Sequence, residues 1–157
     1  MASHARQVLA ELVTVIAAST GDYSLAAVTG TPRVVVADGG WPPVGPPFVA
    51  IAGPSVRSSN DAPLTEVHKE GEFQLWCHAP TTTLDTQARA FAALDLAEQV
   101  INAIEDAHAT PASTVLFGLT TLLVDHDEPY ADGPDVPDGM AFVRVVVRYT
   151  TDRPRGG

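Results

Sequence analysis

Acidic side chains form the densest group of potentially reactive residues in this sequence. Asp125, Asp127 and Glu128 lie close together, Asp132 continues the run, and no Lys or Arg occurs from position 125 to position 140. Carboxylates at such spacing could bind Ca²⁺, but the pattern lacks the closing glutamate of a calcium loop. The alternatives are a solvated hairpin loop and an acidic surface facing a negatively charged molecule that must pass without binding.

The histidines and the single cysteine match no catalytic or zinc-binding pattern. His68 and His78 lie ten residues apart on one predicted strand, roughly 33 Å if that strand is straight, which is too far to share a metal ion. Cys77 falls on the predicted dry face of the same strand, whereas a nucleophilic thiol needs an exposed, electropositive setting. We therefore expect Cys77 to be a buried packing residue.

Common hydrolase and nucleotide-binding motifs are absent from the sequence. It contains no Gly-x-Ser-x-Gly elbow, Walker loop or Rossmann glycine pattern. Gly39 and Gly40 are followed by Trp41 and prolines, so they do not open a helix whose N-terminus could bind phosphate. The sequence therefore predicts no enzyme activity, no cofactor and no bound metal.

Length and composition favour one folded domain over residues 1–157. Hydrophobic residues make up 45% of the chain and charged residues 18%, which allows a core and argues against disorder. The net charge of -10 argues against broad binding to nucleic acid. The single cysteine excludes an internal disulfide, and the sequence has neither a signal peptide nor a bilayer-spanning stretch, so we expect synthesis in a reducing cytoplasm.

Two helices are predicted from apolar residues at helical spacing. The first begins after Ser3, ends before Thr20, and is apolar over more than one side. The second runs from about Thr83 to about His108, where Thr110 and Pro111 end it. Its predicted apolar stripe comprises Leu84, Ala88, Phe91, Leu94, Ala97, Ile101 and Ile104, and its solvated face comprises Asp95, Glu98, Asn102 and Glu105.

Strands are predicted where apolar residues alternate or cluster. They cover residues 34–36, 48–52, 66–78, 115–125 and 140–151. The order of elements predicts an α+β fold, with a mostly antiparallel or mixed sheet of about four to five strands and two main helices packed on it. Loops are expected near residues 38–47, 55–65 and 127–139, and a short flexible tail at 152–157.

Trp76 interrupts the polar face of the third predicted strand. A large aromatic side chain on such a face is a candidate contact with another chain. The alternative is that Trp76 lies over aliphatic side chains of its own subunit. Trp41 and Phe48 are further candidates for a subunit interface.

The arrangement resembles the tail terminator family of long-tailed phages, also called tail completion or minor tail proteins. The resemblance covers most of the chain and depends on the order of elements and on short apolar strings. The matching stretches are the helix from Arg6 to Ala18, the string Pro47-Phe48-Val49-Ala50-Ile51, the strand Gly71-Glu72-Phe73-Gln74-Leu75-Trp76, the helix from Ala88 to Ile104, and the last strand ending in Val145-Val146-Val147-Arg148-Tyr149-Thr150.

This resemblance implies a structural virion protein of the phage neck. It would form a ring, a hexamer by analogy, that caps the last ring of the tail tube and stops tube polymerisation. Its partners would be further copies of itself, the tail tube protein, and a neck, connector or head-completion protein, while DNA would pass through the lumen without specific binding. Asp125, Asp127, Glu128 and Asp132 are candidates for an acidic lumen or loop surface.

Cyclic assembly requires two different complementary patches on each subunit. Trp41, Trp76 and the broad apolar surface of the first helix are candidates, and the polar face of the second helix is a weaker one. Alternative functions are another neck component, such as a head-tail joining or head-completion protein, a small metal-dependent enzyme, and a ligand-binding domain.

Overall fold

The fold is a mixed sheet with two helices packed on one face, as the sequence predicts. The computed structural model describes residues 4–36, 45–59, 66–81, 85–110, 121–126, 130–131 and 138–152. The elements are α1 (His4–Ala17), β1 (Val34–Val36), β2 (Phe48–Ser59), β3 (Glu66–Pro80), α2 (Thr86–Ala109), β4 (Thr121–His126), β5 (Tyr130–Ala131) and β6 (Asp138–Asp152).

Within the described ranges the sheet has six strands in the order β1-β2-β3-β6-β4, with the two-residue β5 paired to the start of β6. Only the β1–β2 pair is parallel among the described strands. The long strands β3 and β6 lie at the centre and pair along their whole length, from Glu66 opposite Asp152 to Pro80 opposite Asp138. The sheet is therefore built around two strands that are distant in sequence.

Two of the predicted loops are partly wrong. Ser55 to Ser59 belong to β2, because β3 pairs with them beyond an irregularity at Ala52 and Ser55. The predicted loop at 127–139 likewise contains β5 and the first residues of β6. Polar composition indicated loops in both places, whereas a paired partner strand supplies backbone hydrogen bonds to polar and apolar residues alike.

The ends of α2 have local causes. The Asp85 carboxylate accepts a hydrogen bond from the Ala88 amide at 3.1 Å, so the helix begins at Thr86 instead of the predicted Thr83. At the other end, Thr110 is extended, with φ -116° and ψ 124°, as expected for a residue before proline. Neither α1 nor α2 combines the length and apolar character needed to cross a bilayer.

The core lies between the helices and the odd-numbered face of β3. In α1, Val8, Leu12 and Ile16 are completely buried. These three residues form one stripe, within about 80° of one another around the helix axis. The other apolar residues of the predicted broad surface, Leu9, Val13 and Val15, are only partly buried against the core. Other core residues are Val49, Ile51, Phe73, Leu75, Cys77, Ala93, Leu96, Ala97, Val100, Ile104, Ala141, Val143, Val145, Val147 and Tyr149.

A buried amide links α2 to the loop after α1. The Nε2 of Gln99 donates to the Ser19 hydroxyl at 3.0 Å and to the Tyr23 carbonyl at 2.8 Å. Its Oε1 accepts from the Tyr23 amide at 3.2 Å. A Cβ on Gly21 would lie 2.5 Å from Oε1 of Gln99, so a side chain at position 21 would displace this amide from its hydrogen-bond partners.

Candidate functional site

The face of the sheet opposite the helices, here called the outer face, carries the candidate site residues that the structure describes. Because successive side chains of a strand point to opposite faces, the even-numbered residues of β3 lie on the outer face. Strand pairing places Trp76 opposite Phe142 and Ala50, and Gln74 opposite Arg144. The outer face therefore has an aromatic end and a charged end.

At the aromatic end, Trp76 packs edge-on against Phe142, with ring centroids 5.6 Å apart and an interplanar angle of 66°. Both side chains are half-buried. Edge-to-face pairs of this kind contribute about 0.5–1.5 kcal/mol beyond the area they bury. Trp76 thus lies over a neighbour within its own subunit and still presents part of its ring on the surface.

Phe48 is less accessible than a subunit contact requires. Its ring stacks on His78 at a centroid distance of 4.4 Å, and Phe48 and His78 are only 6% and 2% exposed. The prediction that Phe48 lies at a subunit interface is therefore not supported, because its own subunit already covers it. His78, on the predicted polar face of β3, is thus buried as well.

The charged end carries ion pairs that connect three strands. Glu70 on β3 binds Arg57 of β2 at 3.2 Å and Arg148 of β6 at 3.0 Å. The two arginine side chains are 78% and 62% exposed, so each pair contributes at most about 1 kcal/mol to stability. These ion pairs determine where charge lies on the outer face, and they add little to the stability of the fold.

Asp125, the only described member of the predicted acidic surface, is also paired. Arg144 donates to both of its carboxylate oxygens, at 2.8 and 3.3 Å, and Glu72 lies 3.9 Å from the same guanidinium. The charge of Asp125 is thus compensated within the sheet. Trp41, Asp127, Glu128 and Asp132 lie outside the described residues.

An open cleft of about 490 Å³ borders the Arg144–Asp125 pair. Gln74, Phe142, Val143 and His126 contribute to its described lining. His126 lies 3.3 Å from Glu98 and so joins β4 to α2. Three of its charged or titratable lining residues, Asp125, Arg144 and His126, already have partners within the fold.

Cys77 and the histidines provide no described reaction centre. Cys77 is fully buried on the inner face, and burial raises the pKa of its thiol to about 12. The thiolate is therefore suppressed at neutral pH, as expected for a packing residue. Within the described ranges, no three His, Cys, Asp or Glu side chains are grouped closely enough to hold a metal ion.

The sequence pattern singled out Trp76 and Asp125 as candidates but did not indicate the residues that contact them. The even-numbered Arg144 and Arg148 indicated a polar face of β6, yet nothing local in the sequence revealed that Asp125 and Glu70 bind them. No family model matches the chain. No curated protein matches it either.

Proposed function

We propose that this chain is a structural virion protein of the tail terminator type. It assembles as a ring, hexameric by analogy with the family it resembles, caps the phage tail tube, and provides the tail side of the head-tail interface. In this role it carries out no reaction and needs no cofactor. It works in the neck of the virion and is made in the cytoplasm of the bacterial host.

The observation that carries this proposal is the adjacency of the three strings on which the resemblance depends. The Pro47-to-Ile51 string leads into β2 and forms its first residues, the Gly71-to-Trp76 string lies in β3, and the Val145-to-Thr150 string lies in β6. Both outer strings pair with the middle one, with Ile51 opposite Leu75 and Phe73 opposite Val145. The three strings therefore lie side by side at the centre of one sheet. This arrangement supports a resemblance to the family at the level of the fold.

Ring closure needs two complementary patches on each subunit. The aromatic end of the outer face, with Trp76 and Phe142, supplies one. The half-buried Leu9 and Val13, which lie about 40° apart around the axis of α1, supply an apolar candidate for the other. The net charge of -10 is compatible with a lumen through which DNA slides, since a negative surface does not retain phosphates.

Replacement of Trp76 by alanine is expected to weaken assembly. Truncation of a central interface tryptophan typically costs about 2 kcal/mol or more, roughly 30-fold in affinity per contact. Analytical ultracentrifugation over a concentration series should give a wild-type species close to six times the 16.5 kDa subunit mass. The Trp76→Ala protein should shift toward the monomer at the same concentrations.

Val56→Ala is the matched control, because Val56 is a 44% exposed apolar residue of the same sheet away from the aromatic end. It should assemble like the wild type. Thermal unfolding of each variant separates lost assembly from lost folding. A wild-type protein that stays monomeric at all concentrations and in the presence of tail tubes would contradict the ring.

A further inference from the structure

Phe91 is the most exposed large apolar residue described in the chain, at 55%. The sequence placed it in the apolar stripe of α2, which is wrong. At about 100° per residue, Phe91 points roughly 180° away from Val100, whose side chain is completely buried. Phe91 therefore projects from the side of α2 that faces away from the sheet.

Acidic residues follow Phe91 along this side of the helix, and Asp95, one turn away, is the nearest of them. Asp95, Glu98 and Glu105 are exposed and lie within about 40° of Phe91 around the helix axis. The only Lys or Arg between Thr86 and Ala109 is Arg89, and it is buried, with 5% exposure. Phe91 and these three acids, together with Asn102 and Asp106, are here called the α2 stripe.

We propose that the α2 stripe is a docking surface for a different protein, one that presents an apolar recess flanked by Lys or Arg side chains. Complete burial of a phenylalanine is favourable by about 1.5–3 kcal/mol, which α2 does not gain in the isolated subunit. Aromatic side chains that enter a pocket of a partner are typical binding anchors. The acidic flanks select a cationic partner by charge complementarity.

A second copy of this chain does not meet that description on the outer face of its sheet. Arg57 and Arg148 are occupied by Glu70, and Arg144 by Asp125. A negative stripe is also repelled by nucleic acid and by anionic membranes. A cationic protein surface is therefore the partner that the charges fit, and this inference is independent of whether the chain forms a ring.

The test uses two synthetic helical peptides of 18 residues as probes. One carries leucines on one face flanked by lysines, and the other has serine in place of every leucine. Binding to the full-length protein is measured by isothermal titration calorimetry at two salt concentrations. The leucine-lysine peptide should bind the wild-type protein. Phe91→Ala should weaken that binding at least 10-fold. An Asp95→Lys, Glu105→Lys double variant should weaken the binding more than Phe91→Ala does, and its binding should no longer depend on salt.

Two controls keep the result specific. Val56→Ala removes another exposed apolar side chain, and Asp22→Lys reverses an exposed acid outside α2, so both should bind like the wild type. Equal binding of the serine peptide, or undiminished binding by Phe91→Ala, would overturn the proposal. A fall in oligomer mass caused by Phe91→Ala would also overturn it, because the stripe would then be occupied by a second copy.

Discussion

Replacement of Gly139 by alanine is expected to destabilise the folded protein by about 3 kcal/mol, the upper part of the usual range for overpacking. Gly139 lies on the inner face of β6 beneath the first turns of α2. An added Cβ would collide with the backbone carbonyl oxygen of Arg89 and lie 2.9 Å from its carbonyl carbon. Ala93 Cβ would be 3.1 Å away. Because the colliding atoms belong to a helix backbone, relief requires moving α2 off the sheet.

Urea denaturation followed by circular dichroism measures this loss as a lower midpoint at unchanged slope. The melting temperature should fall by about 6–12 °C for a chain of this size. Gly45→Ala is the matched control, since Gly45 is exposed and an added Cβ would meet nothing within 4 Å. A Gly139→Ala protein as stable as the control would show that α2 does not approach β6 in this way.

Replacement of Gln99 by leucine is expected to cost about 2 kcal/mol. Leucine nearly preserves the volume, so the loss comes from hydrogen bonds and not from a cavity. The Tyr23 amide, the Tyr23 carbonyl and the Ser19 hydroxyl would each lose the partner that Gln99 provides. Partial exposure of these groups lets water replace part of what is lost, which keeps the cost below that of a fully buried network.

Hydrogen exchange at the Tyr23 amide reports this contact directly. Gln99→Leu should accelerate exchange there, while amides in the central strands change only in proportion to the global stability. Asn102→Leu also replaces an amide by leucine, one turn later on the exposed side of α2, and it should alter stability by less than about 0.5 kcal/mol. Unchanged protection of Tyr23 in Gln99→Leu would contradict the role assigned to this amide.

Local periodicity was sufficient to predict the central elements of the fold. Alternation along β3 correctly assigned Phe73, Leu75 and Cys77 to the dry face, because the two-residue period of a strand is a property of the strand alone. Alternation in β6 likewise identified its buried face. The prediction for α2 was wrong at Phe91, and the reason is geometric. Residues three positions apart differ by about 60° around a helix axis. The predicted apolar residues, most of them three positions apart, therefore wind from the exposed side of α2 to its buried side.

Features that depend on contacts between distant segments were not accessible from the sequence. The strand character of Ser55 to Ser59 comes from pairing with β3, and the compensation of Asp125 comes from the register between β4 and β6. Gln99 and Arg89 were overlooked because polar residues in an amphipathic helix are ordinarily assigned to solvent. Gln99 lies seven residues after Ala92 and three after Leu96, both of which are buried. This helical spacing could have indicated that Gln99 is buried as well.

The charges on the outer face of the sheet compensate one another, and this bears on the hypothesis of an acidic lumen. Three arginines and three acids, Arg57, Arg144, Arg148, Glu70, Glu72 and Asp125, balance one another there. The α2 stripe, in contrast, carries several exposed acids and no exposed Lys or Arg on the same helix; of these acids, Glu98 contacts His126 of β4 at 3.3 Å. Within the described residues, the negative charge relevant to binding or repulsion therefore lies on α2 more than on the outer face.

The proposed terminator role is tested most directly by the length of tail tubes assembled in vitro from the cognate tail tube protein. Electron microscopy of negatively stained tubes gives the length distribution with and without added chain. If the chain has this role, substoichiometric amounts should arrest growth, shorten the tubes and leave a ring at one end of each tube. Tubes of unchanged length, with no added density at either end over the full range of concentrations, would contradict it.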